Sequence, residues 1–166
     1  MKLKYSIIAF LFISTLGTVG HFLYEWTNNN VIIGYFFPVN ESTWEHLKLL
    51  FFPTAIFSVI EYAFVKNEIK NYAVAVTVSK IIGMLFIVTA FYTYSGVLGF
   101  NVDFLNIAIY YLSVIVSLIV KNKIISKEKF YGTNCALISL IICFVISLLF
   151  ILFTYNPPKI GLFSEP

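Results

Sequence analysis

Seven residues, Asn40-Glu41-Ser42-Thr43-Trp44-Glu45-His46, gather two carboxylates, an imidazole and an indole in a chain that is otherwise mostly hydrocarbon. A second pair, His21 and Glu25, precedes them by about one loop. On a helix His21 and Glu25 fall one turn apart on one face, the spacing two side chains need to reach one ion. His46 and Glu45 complete a set of four candidate ligands. Imidazole plus carboxylate suits Zn, Mn or Fe(II) better than Ca, so the cofactor this pattern points to is a divalent transition metal such as Zn. No HExxH or CxxC spacing fixes the assignment. A plainer reading stays open, with Glu45 capping a helix, Glu41 solvated and His21 hydrogen-bonded in the interior. A proton or organic-ligand site stays open as well, and for it Glu41, Tyr92 and Asp103 are the further candidates.

Two other groups of residues invite chemistry. Glu61 and Lys80 sit inside long apolar runs. Charge in the hydrocarbon region is expensive and is paired by default. Counting from the turn between their helices, Glu61 is about 8 Å deep and Lys80 about 14 Å deep, a gap a lysine stem can bridge. They are read as an intramembrane ion pair, structural or part of an ion path. Asp103, Asn106, Tyr110, Ser113 and Ser117 recur at 3-4-3-4 spacing, a polar stripe on one helix face. No base stands beside Ser113 in the sequence, and no Gly-rich phosphate loop is present.

The elements that must position these groups follow from composition. The 166 residues are 60% hydrophobic and only 11% charged, against about 25% charged in an average soluble domain. The mean hydropathy is +0.90. A soluble domain of this size has no place to hide so much apolar surface, so the solvent for most of the chain is lipid. All eleven basic side chains are Lys. The absence of Arg argues against a nucleic-acid partner or a bidentate phosphate site.

The fold class is therefore all-α: five transmembrane helices in one bundle, covering about 5–26, 43–65, 71–94, 103–120 and 133–155. The first run is about the length of a span, and Thr18-Val19-Gly20 is a poor cleavage site for a signal peptide. Residues 31–39 are too few to cross and read as an interfacial or re-entrant segment. Ser42-x-x-Glu45 is a capping box for the second span, which Pro53 should kink. Asp103 is the expected N-cap of the fourth span. Cys135, Ser139, Cys143 and Ser147 repeat every fourth residue, a small-residue face suited to a second copy or a membrane-protein partner. The two cysteines are about 12 Å apart along a helix, too far for a disulfide.

Five spans place the termini on opposite sides. Lys2 and Lys4, the Lys66–Lys70 turn and the Lys121–Lys129 loop all fall on one side, and only Lys48 and Lys159 on the other. The positive-inside rule puts the N-terminus in the cytoplasm and the C-terminus outside, as a multi-pass protein of the plasma membrane. The His/Glu groups then share the extracytoplasmic face.

His21-Phe22-Leu23-Tyr24-Glu25-Trp26, Pro38 through Lys48, Tyr92-Thr93-Tyr94-Ser95-Gly96 and Pro157-Pro158 through Leu162–Pro166 resemble the matching stretches of an uncharacterised family of small bacterial membrane proteins, a domain of unknown function. They are spread over nearly the whole chain, and the second is quite specific. The resemblance implies the membrane class and a short Gly/Tyr-containing tail beyond the final Glu-Pro. It carries no activity.

Three functional readings follow. The sharpest is a metal-dependent membrane enzyme acting on a lipid-linked or envelope substrate. The others are a small transporter or ion-conducting subunit using Glu61 and Lys80, and a structural or assembly partner using the Cys135–Ser147 face. The topology makes its own prediction. A reporter fused after Pro166 reads outside and one inserted among Lys123–Lys129 reads inside; a cytoplasmic reading after Pro166 overturns the orientation.

Overall fold

A computed structural model describes residues 3–165; Lys2 and Pro166, both invoked above, lie outside the described residues. The described chain is all-α, with six α-helices: α1 (Leu3–Trp26), α2 (Val31–Phe36), α3 (Thr43–Val65), α4 (Tyr72–Leu98), α5 (Asp103–Lys127) and α6 (Thr133–Tyr155), followed by a 3-10 turn at Gly161–Phe163. All but α2 are long and apolar enough to cross a membrane. A spanning segment must satisfy its own backbone polar groups, and a continuous helix does so.

Several helix ends differ from the sequence expectation, each for a local reason. Helix α4 runs on through Ser95-Gly96 and stops at Gly99, whose φ of 76° is the left-handed C-cap conformation. Helix α5 continues seven residues past its expected end at Val120, to Lys127. Lysine is a good helix former, and Lys121 turns inward instead of entering a loop. Asp103 is not the N-cap of α5; Val102 holds that position, and its side chain makes no cap hydrogen bond. Helix α3 stays one element through Pro53.

Helix α3 is the centre. It touches α1, α4, α5, α6 and the C-terminal 3-10 turn, and 56% of its most apolar window is buried, against 11% for α6. Around it α4 and α5 pack as the most extensive pair and α1 lies against α3 and α5. Phe51 and Phe150 join α3 to α6, with ring centroids 5.3 Å apart. Trp44 extends this contact, 4.7 Å from Phe150 and 4.8 Å from Phe163. Away from the bundle α6 turns out Ile138, Leu140, Ile141 and Phe144, each more than half exposed. So continuous an apolar face fits contact with lipid.

The α4–α5 contact depends on a close approach at Gly83. A Cβ there would lie 2.6 Å from Leu50 Cδ2 and collide with Ser117 Oγ, which is hydrogen-bonded to the Ser79 carbonyl at 3.0 Å. Overpacking of this kind costs about 1–3 kcal/mol. Gly83→Val should lower the unfolding midpoint in detergent, whereas Ile138→Val on the lipid-facing side of α6 should leave it nearly unchanged. Equal midpoints for both variants would contradict the packing described.

Candidate functional site

Helix α3 begins where two bonds from backbone N–H groups to side chains fix its first turn. Ser42 Oγ accepts from the Glu45 N–H at 3.4 Å, and the Asn40 side chain accepts from the Ser42 N–H at 3.0 Å. The reciprocal half of the capping box is not made. The Glu45 carboxylate instead accepts from the Val39 N–H at 3.0 Å and from Lys48 Nζ at 2.6 Å. Lys48 is fully buried and donates also to the Gly34 carbonyl at 2.8 Å and to Thr154 Oγ1 at 2.7 Å. All three of its N–H groups are used. One ammonium therefore ties α2, α3 and α6 together beneath the 37–42 loop.

That frame sets the loop and the first turn of α3 against α1. His46 Nδ1 lies 2.9 Å from the Ser42 carbonyl. A carbonyl only accepts, so Nδ1 carries the proton and Nε2 of the neutral ring is left with its lone pair. His46 Nε2 is 3.2 Å from His21 Nε2 on α1. Glu41 Oε2 stands 3.4 Å from His46 Nε2 and 3.8 Å from His21 Nε2. These three donor atoms lie within 4.8 Å of one another. Two nitrogens held tetrahedrally by Zn at its usual bond length are about 3.3 Å apart, close to the observed imidazole separation. Glu41 is 63% exposed on its side chain. When the His46 ring is doubly protonated its Nε2–H faces Glu41, and this bond together with the charges of His46 and His21 holds the Glu41 carboxyl below the usual carboxylate range, with burial opposing. Any stabilisation from this depressed value is present at neutral pH and is lost as pH falls through it.

The expected ligand set is thus rearranged. His21 and His46 meet, but their carboxylate is Glu41, from the segment read as solvated. Glu45 is turned away to Lys48. Glu25 is exposed one turn further along α1 and is not in the group. Side-chain identity alone did not rank the three acids. What distinguishes Glu41 is its place in the loop, outside the helix whose start Glu45 must serve.

Beside this triad a cavity of about 320 Å³ opens between α3, α4, α5 and the C-terminal tail. Glu41, His46, Asp103 and Glu165 line its mouth, and Leu49, Ile87, Phe91 and Ile109 its apolar walls. Asp103, freed from capping, is exposed here. Tyr92 is 42% exposed and does not line the cavity; its neighbour Tyr94 instead closes the α4–α5 turn by hydrogen bonds to Asn101 and Asn106.

Glu61 and Lys80 are not paired. Glu61 Oε2 is held by Lys121 Nζ at 2.7 Å and by the Tyr72 hydroxyl at 2.6 Å. Lys80 Nζ donates to Cys143 Sγ at 3.2 Å and lies 4.5 Å from the centre of the Phe51 ring. The reason is the extension of α5, which brings Lys121 inside opposite Glu61, a partner hidden while Lys121 was counted as loop. Of the α5 stripe, Asp103, Asn106 and Tyr110 border the cavity, while the Tyr110 hydroxyl donates to the Ile13 carbonyl at 2.9 Å and Ser117 to the Ser79 carbonyl. The small-residue face of α6 likewise faces its own chain. Thr77 on α4 contacts Cys143 Sγ at 3.2 Å and the Ser139 carbonyl at 3.4 Å, and Ser139 is buried. Cys135 and Cys143 are free thiols.

The chain belongs to DUF6512, a family of unknown function whose sequence model matches residues 1–166. No curated protein and no solved structure matches it.

The buried Glu45–Lys48 pair can be tested directly. Lys48→Met leaves a carboxylate that is 2% exposed without its cation, and breaking such a pair costs about 3–5 kcal/mol. The double variant Glu45→Gln/Lys48→Met removes both charges and should recover most of that loss in detergent unfolding. If the double variant is no more stable than Lys48→Met, the pair is not what holds the mouth.

Proposed function

We propose that His21, Glu41 and His46 bind a divalent transition metal, and that the protein is a metal-dependent membrane enzyme whose substrate enters the adjacent cavity. The observation that carries the reading is the convergence of two imidazole Nε2 atoms and a carboxylate oxygen within 4.8 Å, with His46 Nδ1 tied to the Ser42 carbonyl. A hydrogen bond of this kind, from the other ring nitrogen to a backbone carbonyl, fixes the tautomer and ring orientation of a metal-ligating histidine. Three protein ligands with a fourth position open is the composition of catalytic rather than structural zinc sites. The metal lowers the pKa of a bound water to about 7 and polarises a carbonyl or phosphoryl oxygen. Hydrolysis is accordingly the reaction class: His21, Glu41 and His46 would hold the ion, which would supply an activated water and an electrophile at the edge of the cavity.

The lysine distribution supports a position for this mouth on the outer side of the membrane, and the substrate in this reading is met at the outer leaflet. The transport reading lost its pairing when Glu61 took Lys121 as partner. Of the small-residue face that the assembly reading invokes, Ser139 and Cys143 contact Thr77 on α4.

Elemental analysis tests the proposal. Detergent-purified protein supplied with zinc should carry about one ion per chain. His21→Ala/His46→Ala should carry none while keeping its helical circular dichroism. A wild type that stays metal-free under the same loading refutes the site.

A further inference from the structure

We infer that the cavity beside the triad receives the head group of a bilayer lipid bearing an ammonium group, with one hydrocarbon chain against its apolar wall. The inference rests on the metal reading for what happens to that lipid, but not for its binding.

The charge of the lining carries the argument. Three carboxylates face the cavity, Glu41, Asp103 and Glu165, and no lysine lines it. Arginine is absent from the whole chain. Among the described residues no Lys forms an ion pair with any of the three; the two Lys–Glu pairs there involve Glu45 and Glu61. A phosphate or carboxylate head would meet like charge at Asp103 and Glu165, the two lining carboxylates outside the proposed metal site, and His46 is the one histidine of the lining. An ammonium head meets opposite charge at the carboxylates of the rim.

The neutral polar groups at the rim point the same way. The Asn106 side-chain amide donates to the Asn101 side-chain oxygen Oδ1 at 2.7 Å, and both asparagines are tied to Tyr94. The Tyr110 hydroxyl is bonded to Ile13, so its remaining offer to the cavity is its ring. Phe91 supplies a second ring. Aromatic faces combined with carboxylates form the usual recognition surface for alkylammonium groups. Thr43 is 94% buried, lines the cavity, and its hydroxyl takes part in no hydrogen bond among the described residues. It is a polar group left for a head-group oxygen.

Size and place choose a lipid as the source. About 320 Å³ is at the small end of ligand pockets, which run from about 300 to 1,000 Å³. It suits a head group and the start of one chain. The cavity lies between helices that can cross a membrane, and the nearby surface is strongly apolar, with Val97 81%, Phe100 62% and Phe104 76% exposed. The rest of such a chain can stay in the bilayer.

Native mass spectrometry from a neutral detergent tests this with three trace probes of equal chain: hexadecyltrimethylammonium, hexadecyl phosphate and hexadecanol. The ammonium probe should bind one per chain, at least ten-fold tighter than either of the others. Asp103→Asn/Glu165→Gln, both at exposed positions, should weaken it at least ten-fold. Ile109→Trp should abolish it while the zinc content stays that of the wild type. Equal binding of ammonium and phosphate, or binding indifferent to Asp103→Asn/Glu165→Gln, overturns the inference. If Ile109→Trp does not fold, the carboxylate variant alone decides. Ammonium selectivity in a protein that holds no zinc leaves this inference standing and removes the metal site; zinc without selectivity does the reverse.

Discussion

The Lys48 ammonium is the constraint on which the mouth of this protein depends. It is fully buried at the start of the central helix, and its three N–H groups reach an acceptor on α2, on α3 and on α6. Taking a charge out of water is costly, and the cost is offset only when geometry and hydrogen bonding are complete. Any displacement of α2 or α6 would leave one of those donors unmet. The 37–42 loop lies above this tie, with Val39 bonded to the same Glu45 carboxylate. Glu41 and His46 inherit their positions from it, and the short helix α2 is held over α3 by it.

A second buried pair stands near the other end of α3. Glu61 takes Lys121 from α5 and the hydroxyl of Tyr72 from α4. The central helix is therefore pinned near both ends, by Lys48 reaching Gly34 on α2 and Thr154 on α6 at one and by Glu61 taking Lys121 and Tyr72 at the other, with an aromatic and aliphatic layer of Leu50, Phe51, Val114 and Phe150 between them. Association in a bilayer has little hydrophobic driving force, since lipid tails are as apolar as leucine. Polar bonds and close contacts such as Gly83 against Ser117 supply what specifies the arrangement. Lys80, with only a thiol and an aromatic face for company, is the one described lysine of the interior that breaks the pattern of carboxylate pairing.

How much of this was legible in the sequence depends on the range of the interaction. Five runs of about 20 apolar residues declare five membrane-capable helices, because a span of that length leaves no alternative. Ser42 declares the start of α3 by a bond three residues long. The stop of α4 was missed because Ser95-Gly96 resembles a turn, while only the glycine forced to positive φ, Gly99, ends a helix. The carboxylate partners were misassigned for a different reason. Glu61 to Lys121 spans 60 residues and Lys48 to Thr154 spans 106, and no local periodicity reports such a choice. The two imidazoles stood out as residue types. That Glu41 joins them rather than Glu25 or Glu45 depends on Lys48 having claimed Glu45, which is a tertiary fact.

The reach from Lys48 to Thr154 also has a consequence in time. The chain is made from its N-terminus, and α3 enters the membrane long before α6 exists. Until the last span is synthesised, Lys48 lacks one of its three acceptors, and the Phe51 and Trp44 rings lack Phe150. The mouth is thus completed only when the final helix docks against the others. A nascent chain holding the first five helices has the two imidazoles but not the full tie beneath them, so maturation of the site waits on the synthesis of α6.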